Sequence, residues 1–243
     1  MRFDDTLEIE SAMVIFAHPD DAEWLCGGTT ARWVSEGVAV TYVLVTNGAS
    51  GETPKIEGMT RERLTQLRAQ EQRRAAAVLG VTDIVMLGFE DGYLEPNVEL
   101  RRAIAREVRR ARPDVVLTMD PTIRIVEDLY LNHPDHIALG EVVLRAVNPD
   151  ASSRLMFPEL ERDEGLAKHL PKAVFLSTFF SGQAYVDISS TFDRKLEALM
   201  CHASQIDDPD GFASFVREQY KGIGQKAGVE YAEAFRVIRT LQI

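Results

Sequence analysis

Residues 12–23 read Ala-Met-Val-Ile-Phe-Ala-His-Pro-Asp-Asp-Ala-Glu, six small or apolar residues that run straight into a histidine, a proline and two carboxylates. A short continuous apolar run is what a strand buried on both faces requires, whereas a strand with one wet face would alternate. Pro19 biases His18 towards an extended backbone, so His18 closes the strand at its carboxyl end. The chain then turns into a helix predicted over 22–36. A strand that delivers polar side chains at its carboxyl end and feeds a helix is the opening unit of a parallel α/β sheet.

The same unit recurs down the chain. Further strands are predicted over 38–45, 84–87, 115–119 and 174–178. Helices are predicted over 60–79, closed by Gly80, over 97–111, closed by Pro113, and over 134–147. This alternation predicts an α/β fold, a Rossmann-like, doubly wound and mostly parallel sheet of strand order 3-2-1-4-5 with helices on both faces. No linker, low-complexity tract or internal repeat interrupts the 243 residues, and 45% of them are hydrophobic, so residues 1–243 are read as one domain with a sizeable core.

A second cluster, Asn132-His-Pro-Asp-His136, follows the fourth strand through a long loop over 120–132. Strands one and four are neighbours in the order 3-2-1-4-5, and the crevice outside their carboxyl ends is where such sheets bind ligands. The two clusters are therefore expected to face each other, and they hold three of the chain's five histidines. A catalytic zinc commonly takes three protein ligands and leaves a fourth position open. His18, Asp21 and His136 supply such a set. Asp20 is then left beside the metal to take a proton from a bound water whose pKa zinc lowers. His133 can donate to an oxyanion, and Asp135 can hydrogen-bond an imidazole and fix its tautomer.

Simpler readings exist for each residue. Asp20 or Asp21 alone could cap the following helix, Asp91-Gly92 could form a turn, and the arginines between Arg101 and Arg112 read as a solvated helix face. His169 and His202 read as structural. Two histidines and a carboxylate also make the facial triad of a non-haem iron enzyme. A Rossmann nucleotide-binding module is disfavoured, because the turn after strand one lacks GxGxxG.

A formal net charge of −11 argues against a nucleic-acid or anionic-membrane partner and favours a small molecule. The acidic stretch that begins Met1-Arg2-Phe3-Asp4-Asp5 has the wrong pattern for a signal peptide, and no apolar run is long enough to span a membrane. Cys26 and Cys201 form no disulfide framework, so a cytoplasmic location is expected.

Ala17-His-Pro-Asp-Asp-Ala-Glu23 with Asn132-His-Pro-Asp-His136 resembles the paired signature of the LmbE-like, or PIG-L, family of zinc-dependent N-acetylglucosaminyl deacetylases. Thr46-Asn-Gly48, Arg68-Ala-Gln-Glu71, Leu87-Gly-Phe-Glu-Asp-Gly92, His202-Ala-Ser-Gln205 and Gly228-Val-Glu-Tyr-Ala-Glu-Ala-Phe235 resemble family segments in family order. The resemblance implies removal of an acetyl or related acyl group from the 2-amide of an N-acetylglucosamine-type sugar, by zinc-bound water with an Asp general base. It implies one Zn2+ per chain, with Fe2+ or another divalent metal as the alternative, held by His18, Asp21 and His136. Asp20 is then the base, His133 stabilises the intermediate, and Arg68 and Asp91 contact the sugar. An amidase acting on a thiol-sugar conjugate is the alternative within the family. The resemblance allows a homo-oligomer as well as a monomer. The polar segment 150–172 could be a lid, an insertion or an interface. Some members carry a tyrosine two residues before the first histidine of the second motif. Here Leu131 occupies that place and Tyr130 stands one earlier.

Overall fold

The computed structural model describes residues 7–51 and 56–241. Residues 1–6, most of the stretch read above against a signal peptide, lie outside the described residues. The chain opens β1 (Ser11–Phe16), α1 (Asp21–Ser35), β2 (Ala39–Thr46), α2 (Arg61–Leu79), β3 (Asp83–Phe89), α3 (Val98–Ala111), β4 (Val115–Met119). A small hairpin, β5 (Ile125–Val126) and β6 (Tyr130–Leu131), follows within the long loop. It is succeeded by α4 (Pro134–Arg145), α5 (Pro158–Arg162), β7 (Ala173–Ser177), β8 (Ala184–Asp187), α6 (Phe192–Met200), α7 (Pro209–Ala227) and β9 (Ala232–Arg239).

The helix ends follow their sequence signals. The Thr60 and Asn97 side chains accept from the Arg63 and Leu100 amides at the starts of α2 and α3, and Gly80 closes α2 in the left-handed region with φ 85°. The helix expected over 134–147 stops at Arg145 and continues as a π-helical turn, Ala146–Ala151.

The seven longer strands form one sheet in the order β3-β2-β1-β4-β7-β9-β8. Its first five strands reproduce the expected 3-2-1-4-5 order, all parallel, with Ala12 opposite both Val40 and Val115. All of β4, and all of β1 beyond Ser11, is buried, as their apolar runs require. The sheet then continues with two antiparallel strands that were not expected, β9 against β7 and β8 against β9. The β9 signal is masked by Glu233, a carboxylate in the middle of four fully buried residues.

The arginine row of α3 is not simply a solvated face. Arg109 is 1% exposed and its guanidinium donates to the carbonyls of Asp150, Ala151, Ser153 and Met156 at 2.8–3.2 Å. Arg101 adds a bidentate pair to Asp150 at 2.8 and 2.6 Å, and Arg102 reaches Glu159 at 2.8 Å. The segment 150–172 is thus strapped onto α3 by the residues that hydropathy would assign to water. No helix among the described residues is long and apolar enough to cross a membrane.

Gly140 lets α4 lie against the end of β4. A Cβ there would stand 2.6 Å from the Met119 carbonyl oxygen and 2.9 Å from Pro121 Cδ. Backbone cannot yield as a flexible side chain can, so Gly140→Ala must push α4 away from the strand. We expect a loss of about 1–3 kcal/mol, read as a lowered midpoint in urea or thermal unfolding; wild-type stability would contradict this packing.

Candidate active site

The turn after β1 holds its side chains by an unusual backbone. Asp20 has φ 101°, in the region that favours glycine, and occupies the N-cap position of α1 without any side-chain cap bond. The Asp20 carboxylate instead accepts from Arg68 Nη2 at 3.0 Å, while its amide donates to Gln72 Oε1 at 3.1 Å. Asp21 Oδ2 accepts from the His18 amide at 2.7 Å, which turns its carboxylate back over the strand end. The capping reading therefore fails for both aspartates.

On the facing loop, His133 is the N-cap of α4 and His136 lies in its first turn. The clusters meet as expected. His18 Nδ1 is 3.2 Å from His136 Nε2, His136 Nε2 is 3.2 Å from Asp21 Oδ1, and Asp21 Oδ2 is 3.2 Å from His18 Nδ1. Donor atoms bonded to one tetrahedral ion at about 2.0–2.1 Å stand about 3.3 Å apart. Each pair among His18, Asp21 and His136, through one or the other Asp21 oxygen, therefore stands at about the separation that a single ion such as zinc would impose.

The far side of each imidazole fixes its tautomer. His18 Nε2 lies 3.1 Å from Asp91 Oδ1 and 3.2 Å from Asp135 Oδ2, and His136 Nδ1 lies 2.9 Å from Asn132 Oδ1. With protons held on these nitrogens, His18 Nδ1 and His136 Nε2 are turned to the same point, where an ion would take the place of the proton that His18 otherwise carries on Nδ1. A second group of potential ligands, His18, Asp91, His133 and Asp135, lies behind His18. Its carboxylates are already engaged, Asp135 by the Gly92 and Leu94 amides and Asp91 by the Ser50 amide.

The electrostatics favour a cation in front of His18. Burial disfavours the protonated ring, yet Asp21, Asp135 and Asp91 outweigh it and push His18 up to about 12. Against the effect of burial, His136 and His18 hold the Asp21 carboxyl well below the usual carboxylate range. Burial is also outweighed at Asp91, which His18, the Ser50 amide and Arg68 hold down to about 2. Asp20 behaves differently: close packing raises it, Arg68 opposes and the neighbouring Asp21 charge raises it further. Burial and then the charge on His18 lower His133. Because His133 Nδ1 accepts from the Asp135 amide at 3.2 Å, its proton sits on Nε2.

Arg68 and Asp91, expected as sugar contacts, are both buried. Arg68 also donates to the Pro19 and Gly48 carbonyls at 2.6 and 3.1 Å, so its largest visible task is to hold the turn that carries Asp20. Asp135, expected among the catalytic residues as the holder of an imidazole, is fully buried behind His18. Three residues escaped the sequence reading. Asn132 orients His136, Gln72 holds the Asp20 amide, and Glu23 accepts from Gln72 Nε2 at 2.8 Å and lies 3.3 Å from His202 Nε2. Glu23 and Asn132 are end residues of the two quoted motifs, given no role there, and that place is the one signal that could have found them. One cavity, of about 220 Å³, adjoins the cluster between Asp20, Asp21, Trp24, His202 and Phe212, and a second, of about 380 Å³, is lined by Asn47, Ala49, Arg61, Glu62, Thr65, Gln66 and Glu90. Tyr130, in its displaced position, packs its ring against Phe179 with centroids 6.0 Å apart.

The chain is similar to known proteins over most of its length. Residues 13–147 match the family model PIG-L, described as GlcNAc-PI de-N-acetylase. The chain is 31% identical to the diacetylchitobiose deacetylase of Thermococcus kodakarensis, over 95% of this chain and 84% of that protein. It is 33% identical to a probable N-acetyl-α-D-glucosaminyl L-malate deacetylase 2 of Bacillus anthracis, over 79% of this chain and 80% of that one. Among solved structures, the N,N'-diacetylchitobiose deacetylase of Pyrococcus horikoshii superposes with a TM-score of 0.86 at 28% identity, covering 96% of this chain and 85% of its own. The chain belongs to the PIG-L, or GlcNAc-PI de-N-acetylase, family.

Proposed function

We propose that this chain is a zinc-dependent amide hydrolase that removes the acetyl group from the 2-acetamido substituent of an N-acetylglucosamine-type sugar, acting as one domain in the cytoplasm. The observation that carries the reading is the pairing of a donor triangle of metal-ion dimensions with a separate carboxylate, Asp20, held beside it by Arg68. Family membership and the deacetylase names of the relatives support the same reaction.

His18, Asp21 and His136 would hold the ion, which when bound polarises an amide carbonyl and acidifies water. The remaining chemistry belongs to the chain. Arg68 grips Oδ2 of Asp20, and a side chain one-third exposed leaves this carboxylate accessible to a water at the cleft. As the water oxygen bonds to the amide carbon, Asp20 takes one of its protons. Negative charge gathers on the former carbonyl oxygen, where the Nε2 proton of neutral His133 can be donated to it. When the carbon–nitrogen bond breaks, the proton on Asp20 passes to the departing nitrogen, so acetate and a free amine leave. The side chains of Asn47, Thr65, Gln66 and Glu90, which line the second cavity, offer hydrogen-bond partners to the hydroxyls of a sugar.

A panel of N-acetylated amino sugars and their conjugates, assayed for acetate, tests the reaction. Release should stop after chelation and return on adding Zn2+; release that survives chelation would overturn the metal reading, and no release from any member would overturn the substrate class. Added Zn2+ should also raise the Tm of the apo protein but not that of His136→Ala, since a ligand stabilises only a state that binds it. Asp20→Ala should keep its metal while kcat falls by about 10²–10⁴, and an unchanged kcat would remove Asp20 from the base role.

A further inference from the structure

Helix α1, which begins with Asp21, is broken. Cys26 has φ −146° and ψ 20°, so the helix consists of a short first segment that carries Asp21 and Glu23 and a longer second one. A break leaves carbonyl oxygens without partners at the end of the first segment and amides without partners at the start of the second. Both sets are met by charged groups from the C-terminal third of the chain. Lys195 Nζ, from α6, donates to the Glu23 and Trp24 carbonyls at 2.8 and 2.5 Å. Glu233, from β9, accepts the Gly28 amide on Oε1 at 2.9 Å and the Thr29 amide on Oε2 at 2.8 Å.

The signs are the favourable ones, a cation at a helix C-terminus and an anion at a helix N-terminus. Lys195 and Glu233 also pair with each other at 2.7 Å, and both side chains are fully buried. Around them, the Tyr220 hydroxyl donates to the Trp24 carbonyl, Thr191 Oγ1 donates to the Gly28 carbonyl at 2.9 Å, and Nζ lies 3.9 Å above the Tyr220 ring. Gly28 is fitted to the break, since a Cβ there would stand 2.7 Å from Ile188.

We propose that Lys195 and Glu233 are positioning residues of the site. Their ion pair splices the two segments of α1 and so sets where Asp21 and the Glu23–Gln72–Asp20 hydrogen-bond chain stand against His18 and His136. Glu23 is the hinge of this relay. Its carbonyl is held by Lys195, and its carboxylate holds Gln72 and His202. The inference rests on the metal-site reading above, but the amide-exchange and zinc-affinity arms of its test do not depend on the substrate.

Amide exchange in the wild type supplies the first arm. Gly28 and Thr29 should exchange as slowly as the β1 core, and rapid exchange would overturn the splice. The second arm compares Lys195→Met, Glu233→Gln and the double variant Lys195→Met/Glu233→Gln, which leaves no buried charge unpaired. Zinc titration of the apo proteins should show at least tenfold weaker affinity in the double variant than in wild type, with kcat reduced at least tenfold and KM nearly unchanged. Leu100→Ala, a core truncation on α3, should lower Tm while leaving metal affinity and kcat alone. A folded double variant with wild-type zinc affinity and kcat would overturn the proposal, as would a matching loss in Leu100→Ala. If zinc affinity falls as expected while no acetylated sugar is ever turned over, the splice stands and the deacetylase reading fails.

Discussion

One imidazole is ringed by three carboxylates, and the rest of the site is arranged around that fact. His18 meets Asp21 on one nitrogen and Asp91 and Asp135 on the other, all within 3.2 Å and largely buried. Negative charge at that density, removed from water, is stable only beside a cation. The carboxylates behind the ring orient it. The carboxylate in front shares a point with His136, where the proposed metal ion would balance its charge.

The fold brings these groups together by making β1 and β4 neighbours, with Ala12 opposite Val115 although the two lie far apart in the chain. Parallel strands put both loops at the same sheet edge, and α4 packs close enough to β4 to turn His136 inward. The turn after β1 carries strain at Asp20, and Arg68 stabilises it by binding two backbone carbonyls and the carboxylate itself. Such strain at a site is held by surrounding structure rather than by the residue that bears it. The division of labour between adjacent aspartates follows: Asp21 folds back to the strand end, and Asp20 is drawn sideways by Arg68.

Much of this was legible in the sequence. Apolar runs marked the five parallel strands: burial on both faces removes alternation in β1, β2, β4 and β7, whereas β3, at the sheet edge, is only half-buried. The two His-Pro-Asp clusters marked the crevice, because scarce ligating residues fell after neighbouring strands. What stayed hidden depends on partners far away in the chain. Glu233 in a strand and Lys195 in a helix look like solvent-facing charges until each is seen to satisfy the other and the break in α1. Arg109 sits in an arginine-rich helix whose composition suggests water, yet it serves four carbonyls of a loop more than forty residues on. Arg68 was read as a sugar contact; its orientation towards the Asp20 turn is a three-dimensional fact with no local signature.

The central claim is that a single divalent ion sits in front of His18, between the loops that leave β1 and β4. Anomalous diffraction from crystals of the zinc-loaded protein, measured on both sides of the zinc absorption edge, tests it directly. One peak within bonding distance of His18 Nδ1, His136 Nε2 and Asp21 is the result this account predicts. A peak behind His18, among Asp91, His133 and Asp135, or no peak in either place, would contradict it.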